Sequence, residues 1–285
     1  MKLFFYGSLL FLLIFSMPAH AGMMAKNDFR FGSGGFKQDS ISLFFPAAYK
    51  LLAGIEGTFY KSNDLEKIHS ARLPLVYTGE TNLAEFSPFI YSHRAGQSAY
   101  GGKLMLKTTF TNPKNENFFH LSITGAHAFI KGNRTDEGLT DFQQTAIELK
   151  AEKNFYRQFC FTISAAGFLK PTKGTNNLNL QSSILDQKDL IDFNGYGMLT
   201  VLPEWIASVT VSRNFQPEFN SEVYAGYSKI SIRNFEPANS YSAGMKFFLD
   251  PESESDPTLD FGYNYFKYHE TTAKQYFRIL ISTMF

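Results

Sequence analysis

The segment YFRILISTMF, running from Tyr276 to Phe285, decides the fold. Its odd positions are Phe277, Ile279, Ile281, Thr283 and Phe285. Its even positions are Tyr276, Arg278, Leu280, Ser282 and Met284. Successive side chains of a β-strand point to opposite faces, so a period of two places one almost wholly apolar row against one mixed row. Such a strand suits a wall with hydrocarbon on one side and a polar interior on the other.

The same alternation recurs upstream. Leu51, Ala53, Ile55, Gly57 and Phe59 form one apolar row. Gly102, Leu104, Leu106, Thr108 and Phe110 form another, opposite Lys103, Met105 and Lys107. Phe119 to Phe129, Thr145 to Leu149, Phe159 to Leu169, Ala207 to Val211, Tyr241 to Leu249 and Leu259 to Tyr265 repeat it. The rows are near the ~9–11 residues that a tilted strand needs to cross a bilayer, whereas strands of a soluble sandwich are nearer ~5–6. Short turns are expected at Gly79–Asn82, Asn112–Asn115, Lys153–Asn154 and Pro203–Glu204, and longer polar connections at 61–69, 131–141 and 170–188. The count comes to about 14 strands, within roughly 12–16. Residues 26–45 read as one strand or a hairpin, and 213–239 is the other weakly patterned stretch. Short turns read as periplasmic from the front leave the last strand running the wrong way, so this partition contains one miscounted strand or misassigned loop.

The N-terminus carries Lys2, an apolar run from Leu3 to Met17, and Ala19-His20-Ala21. A cationic start, a short apolar core and a small-x-small triplet are the parts of a secretory signal peptide. Residues 1–21 are therefore expected to be removed, leaving 22–285 as one domain. The last strand resembles the closing strand of Gram-negative outer-membrane β-barrels, which typically ends in Phe and is recognised there by the barrel-assembly machinery. The resemblance implies an all-β, antiparallel transmembrane barrel in the outer membrane, with Phe277, Ile279, Ile281 and Phe285 as the assembly signal and outer-membrane lipid as its surroundings.

Composition narrows the function classes. After residue 22 no apolar run approaches the ~18 residues of a membrane-spanning helix. The chain holds 31 Phe and 15 Tyr but a single Trp, material for aromatic girdles at two membrane interfaces. A net charge of +1 offers no electrostatic basis for nucleic-acid binding. The lone cysteine, Cys160, excludes an internal disulfide and a multi-cysteine metal site, and reads as a packing residue. No metal and no cofactor is expected.

The search for catalytic chemistry yields little. His69, His93 and His269 fall in expected turns, and His127 falls on an apolar row near a strand end. His120 lies on a mixed face beside Ser122 and Thr124, but acyl transfer also needs an orienting group and oxyanion donors. No nucleophile-elbow, zinc-protease, phosphate-loop or dinucleotide signature is present. Gly32-Ser-Gly-Gly35 reads as a bend or bulge in the first strand. The acidic stretch Asp250–Pro257 reads as a solvated turn.

Charged residues opposite the apolar rows are more telling as a group. Glu56, Arg72, Lys103, Lys107, Glu148, Lys150, Lys246, Asp260 and Arg278 are expected to line the lumen, since a basic side chain facing lipid at the midplane would cost about 2–4 kcal/mol. The mixture of signs argues against strong ion selectivity. Three functions fit this reading: a passive channel or transporter for an unknown small solute, an adhesive barrel binding a surface partner through loops such as 170–188, and a lipid-modifying enzyme. The exported form is expected to begin at Gly22. N-terminal sequencing of protein from outer membranes of an expressing Gram-negative host checks this, and an intact Met1 terminus would refute it.

Overall fold

The computed structural model describes residues 22–63, 67–93, 98–112, 117–131, 142–155, 158–169, 190–191, 203–216, 219–232, 236–250, 257–268 and 273–284. Residues 1–21, the stretch 170–188, His269 and Phe285 lie outside them. The strands are β1 (Met24–Gly32), β2 (Phe36–Ala48), β3 (Leu51–Lys61), β4 (Ile68–Arg72), β5 (Leu75–Thr78), β6 (Asn82–His93), β7 (Ser98–Asn112) and β8 (Asn117–Lys131). They continue as β9 (Phe142–Phe155), β10 (Phe159–Phe168), β11 (Pro203–Asn214), β12 (Ser221–Ile232), β13 (Ala238–Phe248), β14 (Thr258–Tyr268) and β15 (Lys274–Met284).

Apart from β4 and β5, every strand pairs antiparallel with its neighbours in sequence, and β1 pairs with β15 from Met24↔Met284 to Gly32↔Tyr276, which closes the sheet on itself. β4 and β5 are two pieces of one wall position, because both lie between β3 and β6. The barrel is therefore 14-stranded. The break falls at Leu73 and Pro74, where proline has no N–H for the ladder. Continuity survives through neighbouring groups: Gly54 N–H donates to the Pro74 carbonyl at 2.7 Å and Leu73 N–H donates to the Pro88 carbonyl at 3.0 Å.

Closure sorts the connections. One end, the turn end, carries both chain ends and the links at 49–50, 79–81, 113–116, 156–158, 215–220 and 249–257. The other, the loop end, carries 33–35, 62–67, 94–97, 132–141, 169–202, 233–237 and 269–273. This removes the orientation conflict in the sequence reading. Lys153 and Asn154 are not a turn but the end of β9, and the link follows at 156–158. Pro203 and Glu204 do not separate two strands; they open β11, which pairs directly with β10 and leaves no wall position between. Residues 26–45 form the β1–β2 hairpin. Gly32–Gly35 is not a bulge within β1: Ser33–Gly35 is the tight turn of that hairpin, and Gly34 (φ 68°) and Gly35 (φ 65°) take left-handed conformations that disfavour other side chains. His69 and His93 also leave the turns expected for them. His69 lies in β4 with its ring 5.3 Å from that of Phe59, and His93 is the last residue of β6.

The outward face is apolar and banded. Ile55, Leu104, Leu106, Ile123, Ile147, Leu149 and Ile163 occupy the middle of the wall and are exposed. Aromatic rings flank this band. Tyr100 stacks on Phe129 at 5.2 Å and Tyr227 meets Tyr241 at 5.3 Å near the loop end. Phe110 stacks on Phe119 at 6.0 Å near the turn end. A continuous apolar belt between two aromatic girdles is the surface that a bilayer requires. Leu149, 56% exposed in the middle of β9, tests it. Leu149→Arg should destabilise the barrel by about 2–4 kcal/mol, read from reversible denaturant unfolding in lipid vesicles.

Candidate functional site

The enclosed face of the barrel holds the polar side chains that the strands alternate inward. The nine residues expected to line the lumen lie there. Glu56, Glu148 and Asp260 are buried, and Arg72, Lys103, Lys107, Lys150, Lys246 and Arg278 are half-buried. Of the residues expected to signal assembly, Phe277, Ile279 and Ile281 share the outward face of β15. The sequence reading missed Asp28 and Arg30 on β1 and Glu85 on β6. The run Lys26, Asp28, Arg30 against Asn27, Phe29, Phe31 carries the same alternation and could have found the first two.

These groups form two ion-pair networks. In the first, Asp28 receives Arg30 at 2.7 Å and Arg278 at 3.2 Å, and Arg278 reaches Asp260 at 3.4 Å. Tyr224 on β12 donates its hydroxyl to Asp260 on β14 at 2.8 Å, passing over β13. Gly244 makes that crossing possible: a Cβ there would lie 2.2 Å from the Tyr224 hydroxyl and 2.5 Å from the Phe261 carbonyl. In the second network, Arg72 binds Glu56 at 2.8 Å and approaches Glu85 at 3.9 Å, while Lys103 approaches Glu85 at 3.8 Å. Ser42 donates to Glu56 at 2.9 Å. Charges enclosed away from bulk water are held by partners of opposite sign and by hydroxyl donors.

The wall from β10 to β13 is different. Its inward residues include Thr162, Ser164, Ser208, Thr210, Ser212, Ser228, Ser240 and Ser242. Ser208 donates to Ser228 at 2.8 Å, and the Asn264 amide donates to Ser240 at 2.7 Å. This part of the wall is hydroxyl-rich, with Glu222 and Lys246 facing each other at its turn end.

Enclosure also varies along the axis. On β8 the inward side chains pass from half-buried His120 and Ser122 at the turn end to buried Thr124, Ala126, Ala128 and Ile130 at the loop end. β10 and β12 repeat this, from Cys160 to Phe168 and from Glu222 to Ile232. The loop-end residues join one apolar cluster with inward side chains of most other strands, including Tyr60, Ile68, Tyr91, Ile206 and Tyr276. Leu190 (3% exposed) and Ile191 (1%), from the connection between β10 and β11, are buried in that cluster.

His120 is the nearest thing to a catalytic group. Its Nδ1 shares a hydrogen bond with Thr109 Oγ1 at 2.7 Å, and its Nε2 lies 3.8 Å from Glu152. Register places all three side by side on β7, β8 and β9. Hydroxyl, imidazole and carboxylate are side by side, and acyl transfer would also need oxyanion donors. The hydroxyl bonded to His120 is thus that of Thr109, across the strand pair. Among the described residues no group of His, Cys, Asp or Glu could hold a metal ion.

The second network gives a direct test. Arg72→Met leaves Glu56 and Glu85 without the guanidinium between them and should cost about 1–3 kcal/mol. Arg72→Met with Glu56→Leu should recover part of the loss. Unfolding in lipid vesicles reads both, and equal stability of the single variant and wild type would refute the pairing.

No family model matches the chain, and no curated protein matches it. Solved structures resemble it over nearly its whole length. OccAB1 of Acinetobacter baumannii superposes with a TM-score of 0.52 at 8% identity, covering 92% of this chain and 94% of that one. OccK5 (OpdH) of Pseudomonas aeruginosa gives 0.49 at 7% identity, covering 92% and 96%. The NanC porin gives 0.47 at 8% identity, covering 92% and 100%. Identities this low bear on the fold alone. With its closed 14-stranded wall and apolar outer belt, the chain has the fold of the Gram-negative outer-membrane β-barrel proteins.

Proposed function

We propose that the protein is a passive channel or small-solute transporter of the outer membrane, with its loop end facing the cell exterior. One observation carries this reading: the turn-end half of the enclosed face keeps charged and hydroxyl side chains half-exposed, among them Lys107, Lys150, Thr162 and Ser212. A wall with lipid on its outer face has no need of charge on its inner face unless water or a polar solute lies there. The short turns lie at the end that holds the chain termini, the arrangement of periplasmic turns in such barrels. In the same reading residues 1–21 direct export, and the outward row of β15 engages the barrel-assembly machinery.

The solute would be small and polar. The ion-paired side offers both signs, and the opposite side offers hydroxyls that donate and accept. Neither surface selects strongly for one ionic sign.

Current through planar bilayers tests the proposal. Wild-type protein should give discrete opening events, however brief. Lys103→Glu and Lys107→Glu should shift the reversal potential under a salt gradient toward cations, because a charge on the path wall repels like ions. A reversal potential indifferent to both substitutions, or no event in any variant, would overturn the reading.

A further inference from the structure

We infer that the apolar cluster at the loop end of the lumen, bordered by the buried polar side chains of Gln38, Gln144 and Asn264, is a septum completed by Leu190 and Ile191, and that it holds the bore shut at rest. The inference rests on the channel reading and adds where the path is closed and by what. Three observations carry it. First, the inward side chains change character along the axis. His120, Ser122 and Thr124 give way on β8 to Ala126, Ala128 and Ile130, and on β12 Glu222 and Tyr224 give way to Ile230 and Ile232. Second, on β8, β10 and β12 exposure falls in the same direction, and Ile68, Tyr91 and Ile230 at the loop end are at 0%. Side chains lining a water-filled tube would remain accessible to water. Third, side chains from nearly every wall position belong to one cluster, and Leu190 and Ile191 are its members from outside the wall.

A 14-stranded barrel has more interior than its own wall side chains fill. Small inward residues at the loop end, Ala99, Ala126, Ala128, Ala146 and Ala238, leave that space rather than occupy it. Leu190 and Ile191 are buried in the same cluster as these alanines. A constriction of this kind excludes ions by dewetting, since water gains no hydrogen bonds from an alkyl wall.

Leu190→Asp with Ile191→Asp should open the path. Carboxylates cannot stay in an apolar cluster, so the open probability in planar bilayers should rise at least about tenfold over wild type. Leu190→Met with Ile191→Leu keeps the volume and should stay closed. A wild type as open as the aspartate variant would overturn the septum and leave the channel reading standing. Silence in both would overturn both. Heat-modifiable mobility on gels verifies folding. Should the aspartate variant fail to fold, Ile191→Cys in a Cys160→Ser background decides instead. Its thiol should resist a small hydrophilic maleimide applied to both faces, labelling at least about tenfold slower than an exposed control cysteine at Tyr49. Labelling at the control rate would refute the septum.

Discussion

Hydrocarbon offers no hydrogen bonds, so a strand wall within it must satisfy all of its N–H and C=O groups internally. That demand is met at one seam, where Met24 to Gly32 pair with Met284 to Tyr276 and the last strand becomes the neighbour of the first. An open sheet of the same strands would expose two edges, each unpaired group costing several kcal/mol. The seam also fixes parity. With 14 wall positions the chain enters and leaves at the same end, and each connection is thereby assigned to the turn end or the loop end.

Once the wall closes, the enclosed face becomes a separate solvent problem. Side chains turned inward cannot reach bulk water freely, so the charges there are arranged to answer one another. Asp28 serves two arginines, and Glu56 serves Arg72 and Ser42. The pairings run across strands distant in sequence, Asp28 to Arg278 and Tyr224 to Asp260, and they brace the seam and its neighbours from within. Glycine has a structural part in this. Phe44 faces Gly54, Phe89 faces Gly101, Tyr224 faces Gly244 and Tyr276 faces Gly32, each an aromatic ring on the enclosed face opposite a residue with no side chain of its own. In each case a Cβ on the glycine would meet that ring at less than 3.0 Å. A ring laid over a cross-strand glycine covers its backbone and supports the local twist.

Much of this architecture was legible in the sequence because the bilayer imposes a strict period of two. The row of Phe277, Ile279 and Ile281 and the row of Leu104 and Leu106 are read correctly by parity alone, and the strand count follows from their spacing. What failed were local signals that carry no parity. Pro203 and Asn154 look like turn residues, yet Pro203 opens a strand beside a register shift and Asn154 caps one, its side chain accepting the Phe118 N–H. Gly32–Gly35 looks like a defect in one strand because its flanking rows are short, and only pairing shows two strands there. The lumen was half legible. Charge on an inward row stands out against an apolar outward row, but at the loop end of β8 both rows are apolar, from Ala126 to Ile130, and alternation vanishes.

That loss of alternation is itself physical information. A segment apolar on both faces is one that meets no water on either side. In a membrane barrel the outward face is dry because of lipid, so a dry inward face needs protein to exclude the water. Wall side chains alone do so only in narrow barrels. At this circumference part of the filling comes from outside the wall, and Leu190 and Ile191, between β10 and β11, belong to the buried cluster. On β8, β10 and β12 the lumen thus passes from half-buried polar side chains toward the turns to an apolar cluster toward the loops, which Leu190 and Ile191 join.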